Sequence, residues 1–300
     1  MALSKEDITT WFKELQDSIC KELEITDGKG MFTEDLWERE GGGGGRSRIL
    51  QNGNIIEKGG VGFSAVHGVL ADPVKQLLKV NKTNFYATGV SIVIHPHSPM
   101  VPIIHMNVRY FEIDNETKWF GGGIDLTPHY VVKEDAAFFH KKLQQVCDAF
   151  SPEYYKEFKK WADDYFFIKH RNETRGIGGI FFDRLSADET HTIEGRFNFV
   201  KSVGNSFAPI YTHFMNKNNL LPYGEEHKNW QLIRRGRYAE FNLVYDQGTK
   251  FGLDTNGRTE SILMSLPPLA SWLYNHIPAK GSAEEKTLAL LKKDIDWVNL

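Results

Sequence analysis

The chain has 300 residues, 41% of them hydrophobic and 25% charged, an ordinary globular composition that excludes disorder and fibrous repeats. Lys+Arg 36 against Asp+Glu 39 leaves a net charge of −3, which argues against a protein built to grip nucleic acid or an anionic membrane. No apolar run reaches the roughly 18 residues of a membrane span, and the opening MALSKEDITTWFKEL lacks the layout of a secretory signal. Cys20 and Cys147 make no CxxC pair, so the expectation is a reduced, cytoplasmic chain.

The first element is a helix. Ser4 and Asp7 form a weak capping box, Ile8, Trp11, Phe12, Leu15, Ile19 and Leu23 recur at helical spacing, and Asp27-Gly28 ends the run. Residues 41–45 are consecutive glycines followed by Arg46-Ser47-Arg48. A flexible linker stands slightly ahead of a loop that lets backbone approach an anionic ligand. It is neither a phosphate loop nor a dinucleotide fingerprint, because no Gly-Lys-Ser/Thr follows and Arg46 breaks the glycine spacing.

Residues 84–94, 101–113, 117–124 and 237–245 read as strands, and 133–149, 152–168, 193–216 and 282–293 as helices. That order suggests an α+β fold with a largely antiparallel sheet, and one domain over 1–300.

Alternation within 101–113 puts His105, Asn107 and Arg109 on one face. Strand 84–94 offers Ser91, Val93 and His95, and 237–245 offers Tyr238, Glu240 and Asn242 with Asp246 at its end. FGGGIDLTP (120–128) reads as a strand end that turns tightly and leaves Asp125 projecting. Arg171, Arg175, Asp183 and Arg258 stand beside the other glycine clusters. His95, His105, His140 and His170 sit in patterned context without His-x-x-x-His spacing, which leaves acid–base work and metal ligation both open.

Seven segments carry a resemblance. GGGGGRSR, GVSIVIHP (89–96), VPIIHMNVRYF (101–111), WFGGGIDLTP (119–128), KHRNETRGIGGIFFD (169–183), RRGRYAEFNLVYDQGTKFGL (234–253) and TNGRTESILMSLPP (255–268) together resemble the oxygen-dependent coproporphyrinogen-III oxidases, over nearly the whole chain. The resemblance implies haem biosynthesis: oxidative decarboxylation of two propionates of coproporphyrinogen III to vinyl groups, giving protoporphyrinogen IX. O2 is consumed, CO2 and H2O2 leave, and neither flavin nor nicotinamide takes part, because the reduced tetrapyrrole supplies the electrons itself.

It further implies a single large antiparallel sheet with helices on both faces, and a homodimer formed through 238–273. By the same resemblance His105 is the proton donor, and Asp125 and Asp246 act on the pyrrole nitrogens. Ser91, Asn107, Val108, Arg109, Asn256, Gly257 and Arg258 line the substrate site, and His95, His140 and His170 match divalent-metal ligands. Asp125 is the stronger base candidate, since a glycine turn would push it under the macrocycle. Asn256 stands where glycine is common, and Gln247 where arginine is common. The competing readings are a histidine-metal enzyme of another class and a non-catalytic tetrapyrrole binder.

Overall fold

The computed structural model describes residues 3–70, 75, 84–254 and 257–300. Helix α1 (Lys5–Asp27) starts on the capping box read from the sequence: Ser4 Oγ accepts the Asp7 N–H, and Asp7 Oδ2 accepts the Ser4 N–H. It stops at Gly28, whose φ of 74° closes the helix in the left-handed region. Ile8, Phe12, Leu15, Ile19 and Leu23 are all buried, as the helical spacing requires.

Seven strands then form one antiparallel sheet. They are β1 (Thr33–Glu38), β2 (Gly43–Gln51), β3 (Ile56–Val69), β4 (Asn84–Pro96), β5 (Ile103–Ile113), β6 (Thr117–Thr127) and, beyond a two-stranded ribbon of β7 (Phe167–Ile168) and β8 (Glu173–Thr174), β9 (Gly179–Leu185). The first six run as a meander, each strand pairing with the next in sequence.

One face carries Val61, Ile92, Ile94, Ile104, Met106, Val108, Phe120, Ile124 and Phe182. Against it pack α1, α2 (Lys133–Asp148), α3 (Tyr154–Tyr165) and α4 (Ile193–Asn218). The opposite face is covered at one end by α5 (Glu225–Val244), where Tyr238 packs on Val93 and Ile103. Two short helices follow, α6 (Gln247–Asp254) and α7 (Thr259–Leu263), and then α8 (Ala283–Leu290). The α+β architecture with helices on both faces is therefore as expected.

Three local expectations are corrected. Residues 237–245 are helical, not extended. Arg234, Arg235, Tyr238, Phe241 and Asn242 are buried at helical spacing, and the segment continues a helix that starts at Glu225. Strong helix formers (Glu, Lys, Gln, Leu, Arg, Ala) predominate over Glu225–Val244 as a whole, and the Tyr238–Glu240–Asn242 alternation is incidental. The 41–45 glycines are not a linker. Gly43, Gly44 and Gly45 belong to β2, and a Cβ on Gly45 would sit 2.2 Å from the Trp37 ring and 2.5 Å from the Phe63 carbonyl. Finally, no turn lies at 121–123: β6 runs straight through these glycines, and Asp125 is a mid-strand residue, 1% exposed.

Candidate active site

The uncovered part of the second face is a trough floored by small residues. Cross-strand register aligns Gly45, Ser64, Gly89, Arg109 and Gly121 in one row, and Ser47, Gly62, Ser91, Asn107, Gly123 and Phe181 in the next. A third row holds Gly60, Val93, His105, Asp125 and Gly179. Strands lie about 4.8 Å apart, so a run from β2 to β6 spans roughly 19 Å. Glycines on one face of several adjacent strands leave a flat floor, the shape that a flat macrocycle needs. The large polar side chains of the floor, His105, Asn107 and Arg109, all rise from β5.

The deepest of these is a charged chain. His105 Nδ1 lies 2.7 Å from Asp125 Oδ1, and Arg175 Nη2 reaches both Asp125 oxygens at 2.8 Å. A carboxylate accepts only, so the His105 proton sits on Nδ1 and Nε2 is left for the trough. Asp125 and Arg175 are almost wholly buried, while the His105 side chain keeps 21% exposure. Burial by itself would push the Asp125 carboxyl up, but the Arg175 guanidinium and the His105 bond outweigh it and hold the group below the usual carboxylate range.

Arg175 is in turn caged. Its Cζ sits 4.4, 4.6 and 4.7 Å from the ring centroids of Phe166, Tyr238 and Phe241, and its Nη1 donates to Asn242 Oδ1 at 2.7 Å. The rings exclude water and face the cation with their negative π surfaces. The sequence showed Arg175 only as a charge beside glycines, and its burial in a ring cage built by Phe166, just past α3, and by Tyr238 and Phe241 of α5 gave no linear signal.

Toward the open side, Arg109 Nη2 meets Asp183 Oδ1 at 3.1 Å while keeping 43% exposure. Asn107 Oδ1 is buried with no hydrogen-bond partner, and half-buried Ser91 stands opposite it on β4. At the β1 side, α7 closes over the floor. Arg258 Nη2 bonds Asp35, Ser261 Oγ pairs with Ser47 Oγ at 2.9 Å, and Met264 lies over Gly60 and Gly62. Cations therefore stand at both ends of a side-chain-poor floor, where carboxylate arms of a large ligand would reach them.

The family match agrees with this geometry. Residues 7–297 fit the family model described as Coproporphyrinogen III oxidase. The chain belongs to the coproporphyrinogen III oxidase family. It is thus an oxidoreductase of haem biosynthesis that acts on coproporphyrinogen III by oxidative decarboxylation. No helix among the described residues is long and apolar enough to cross a membrane.

The fold places His105, Asn107, Arg109, Ser91 and Asp125 in neighbouring register positions on one face of β4, β5 and β6. Other expected site residues are placed differently. Val108 is fully buried and its side chain points into the opposite core, as β5 alternation requires. Asp246 is spent on structure: Oδ1 accepts from the Tyr165 hydroxyl at 2.8 Å, and Oδ2 accepts from Thr249 N–H and Oγ1, capping α6. Gly257 donates to the Gly252 carbonyl at 2.7 Å, next to Arg258. Asn256 lies outside the described residues.

The metal expectation finds no shared centre. Among the described residues no group of three or more His, Cys, Asp or Glu side chains could hold a cation. His95, on β4, gives its Nε2 to the Ser265 carbonyl and keeps an unpartnered Nδ1 in full burial. His140, on α2, has both ring nitrogens engaged, by Tyr155 and the Ile177 carbonyl. His170, exposed beside α5, bonds Tyr245 and Glu240. These three histidines are held by separate partners and do not fit one ion.

Proposed function

We propose that the oxidase uses O2 as acceptor and that His105 is its proton-transfer group, with Asp125 acting through it. The observation that carries this reading is the His105–Asp125–Arg175 chain beside a side-chain-poor floor. Each round would convert CH2–CH2–COO⁻ + O2 + H⁺ into CH=CH2 + CO2 + H2O2, the substrate losing two electrons and O2 gaining them. Neutral His105 offers an Nε2 lone pair that can take a pyrrole N–H proton. The resulting anion is a strong enough reductant for O2, and the same imidazolium returns a proton to the departing peroxide.

Asp125 keeps the imidazole in the tautomer and orientation this requires, and Arg175 keeps Asp125 an acceptor. That division of labour suits a buried, doubly bonded carboxylate of lowered pKa better than direct proton abstraction does. Arg109 and Arg258 suit the propionates at the two ends of the floor, with Asn107 and Ser91 between them.

The oxidase is further read as a cytoplasmic homodimer. Cys20 and Cys147 are free buried thiols, compatible with a reducing compartment. Leu243, Val244, Trp272, Leu273, Tyr274 and Ile277 leave large apolar surface exposed in and beside 238–273, the kind of surface a partner subunit covers.

The test mixes anaerobically prepared coproporphyrinogen III with enzyme, with and without O2 and chelator, and follows vinyl product and CO2. O2-dependent release of CO2 that survives chelation is the expected result. Chelator-sensitive turnover would instead restore a catalytic metal, and turnover without O2 would overturn the acceptor assignment.

A further inference from the structure

We infer that His140 is a positioning residue of the oxidase and not a metal ligand: it fixes the 174–179 turn that carries Arg175, and through Arg175 and Asp125 it sets the ring of His105. The bonds define its state. His140 Nε2 lies 2.9 Å from the Ile177 carbonyl, and its Nδ1 lies 2.9 Å from the Tyr155 hydroxyl. A carbonyl cannot donate, so Nε2 carries the proton and the Ile177 oxygen accepts it. Nδ1 then keeps its lone pair and accepts from Tyr155. Trp297 stacks along the ring at 6.2 Å and Phe139 meets it edge-on. Neither nitrogen is left for a cation without breaking a buried hydrogen bond.

The turn it holds is close to the reacting end. Ile177 N–H donates to the Leu126 carbonyl and Leu126 N–H to the Gly178 carbonyl, one residue beyond Asp125 on β6. Thr174 Oγ1 donates to the Gly176 carbonyl at 2.7 Å, and a Cβ on Gly176 would meet the Leu126 carbonyl at 2.2 Å. The turn therefore presses on β6 with no slack. Releasing the Ile177 carbonyl leaves a buried acceptor unpaired two residues from Arg175, whose Nη2 must stay within 2.8 Å of both Asp125 oxygens.

The kinetic part of this inference rests on the proposed role of His105; the spectroscopic part does not. The enzyme and its His140→Gln and His140→Leu variants are compared for kcat, KM, Mn2+ bound per chain, and the NMR signal of the His105 Nδ1 proton. Gln can place an amide N–H on the Ile177 carbonyl but is a poor substitute for an imidazole ligand. We expect His140→Leu to lower kcat by about 10²-fold with KM little changed, the scale of a small misplacement of a catalytic group, and to move the His105 signal. His140→Gln should return both toward wild type, with bound Mn2+ the same in all three. Loss of bound Mn2+ in both variants would overturn the inference, as would wild-type kcat and an unmoved His105 signal in His140→Leu. Should the Leu variant not fold, His140→Gln decides alone: inactive and metal-free overturns the inference, active with an unmoved signal supports it. A wild type without turnover would sink the oxidase mechanism while the signal and the Mn2+ count still judge His140.

Discussion

His105 Nδ1 and Asp125 Oδ1 are 2.7 Å apart on adjacent strands, directly opposite in register. Asp125 Oδ1 accepts from His105 and from Arg175, and Oδ2 accepts from Arg175 as well; Asn would turn one of these oxygens into an NH2 that opposes a donor, and would remove the charge that balances the guanidinium. Asp125→Asn should therefore lower kcat by about 10²–10⁴-fold, the usual weight of positioned acid–base catalysis. Steady-state kinetics on folded protein checks this, and near-normal turnover would remove Asp125 from the mechanism.

The same substitution also strands a buried guanidinium. Breaking one side of a buried ion pair costs about 3–5 kcal/mol, whereas replacing both sides with apolar or neutral groups is far milder. Asp125→Asn should lower unfolding stability strongly, and adding Arg175→Met should recover most of that loss without recovering kcat. Urea unfolding of the single and double variants gives the coupling. Additive stability effects would mean that the pair is not the unit the geometry describes.

Arg109 is a different kind of charge. Its pair with Asp183 keeps 43% and 28% side-chain exposure although Asp183 Oδ1 itself is enclosed, far more open than the Asp125–Arg175 pair, and largely exposed pairs contribute about 0–1 kcal/mol. Arg109→Ala should leave Tm nearly unchanged. KM should rise by about 10–100-fold, the worth of one or more hydrogen bonds to a charged group. An unchanged KM would place the propionates elsewhere on the floor.

Much of this architecture was legible in the residues. The Ser4–Asp7 cap, the α1 stripe and the polar row His105–Asn107–Arg109 follow from local spacing, because each is a relation within one element. What was not legible depended on elements meeting. The glycines at 43–45 look like a linker until Trp37 and the Phe63 carbonyl occupy the space their side chains would need. Asp125 looks like a turn residue until β5 and β9 flank it. Residues 237–245 carry a two-residue polar alternation and a helical burial stripe at once, and only the helix from Glu225 decides between them. Arg175 became a site residue through a cage of rings drawn from distant segments.

Asp27 gives the fold an acid-sensitive clamp that lies away from the catalytic chain. At the end of α1 its two oxygens accept the backbone N–H groups of Lys29, Gly30, Asn54, Ile55 and Ile56, tying the helix to the β2–β3 connection. Burial opposes ionisation, but the N–H groups of Ile56, Asn54, Gly30 and Ile55 outweigh it and hold the folded carboxyl below its ordinary value. A folded pKa lower than the unfolded value, about 3.9, means the clamp stabilises fully above roughly pH 4 and fades as pH falls through the folded value. Asp27→Asn, whose NH2 would confront backbone donors, should be less stable than wild type at pH 7. The gap should narrow steadily below about pH 4, where wild-type Asp27 takes up its proton. Urea unfolding of both proteins across that range measures the gap directly. A gap that stays constant down to acid pH would show that the clamp does not depend on the charge of Asp27.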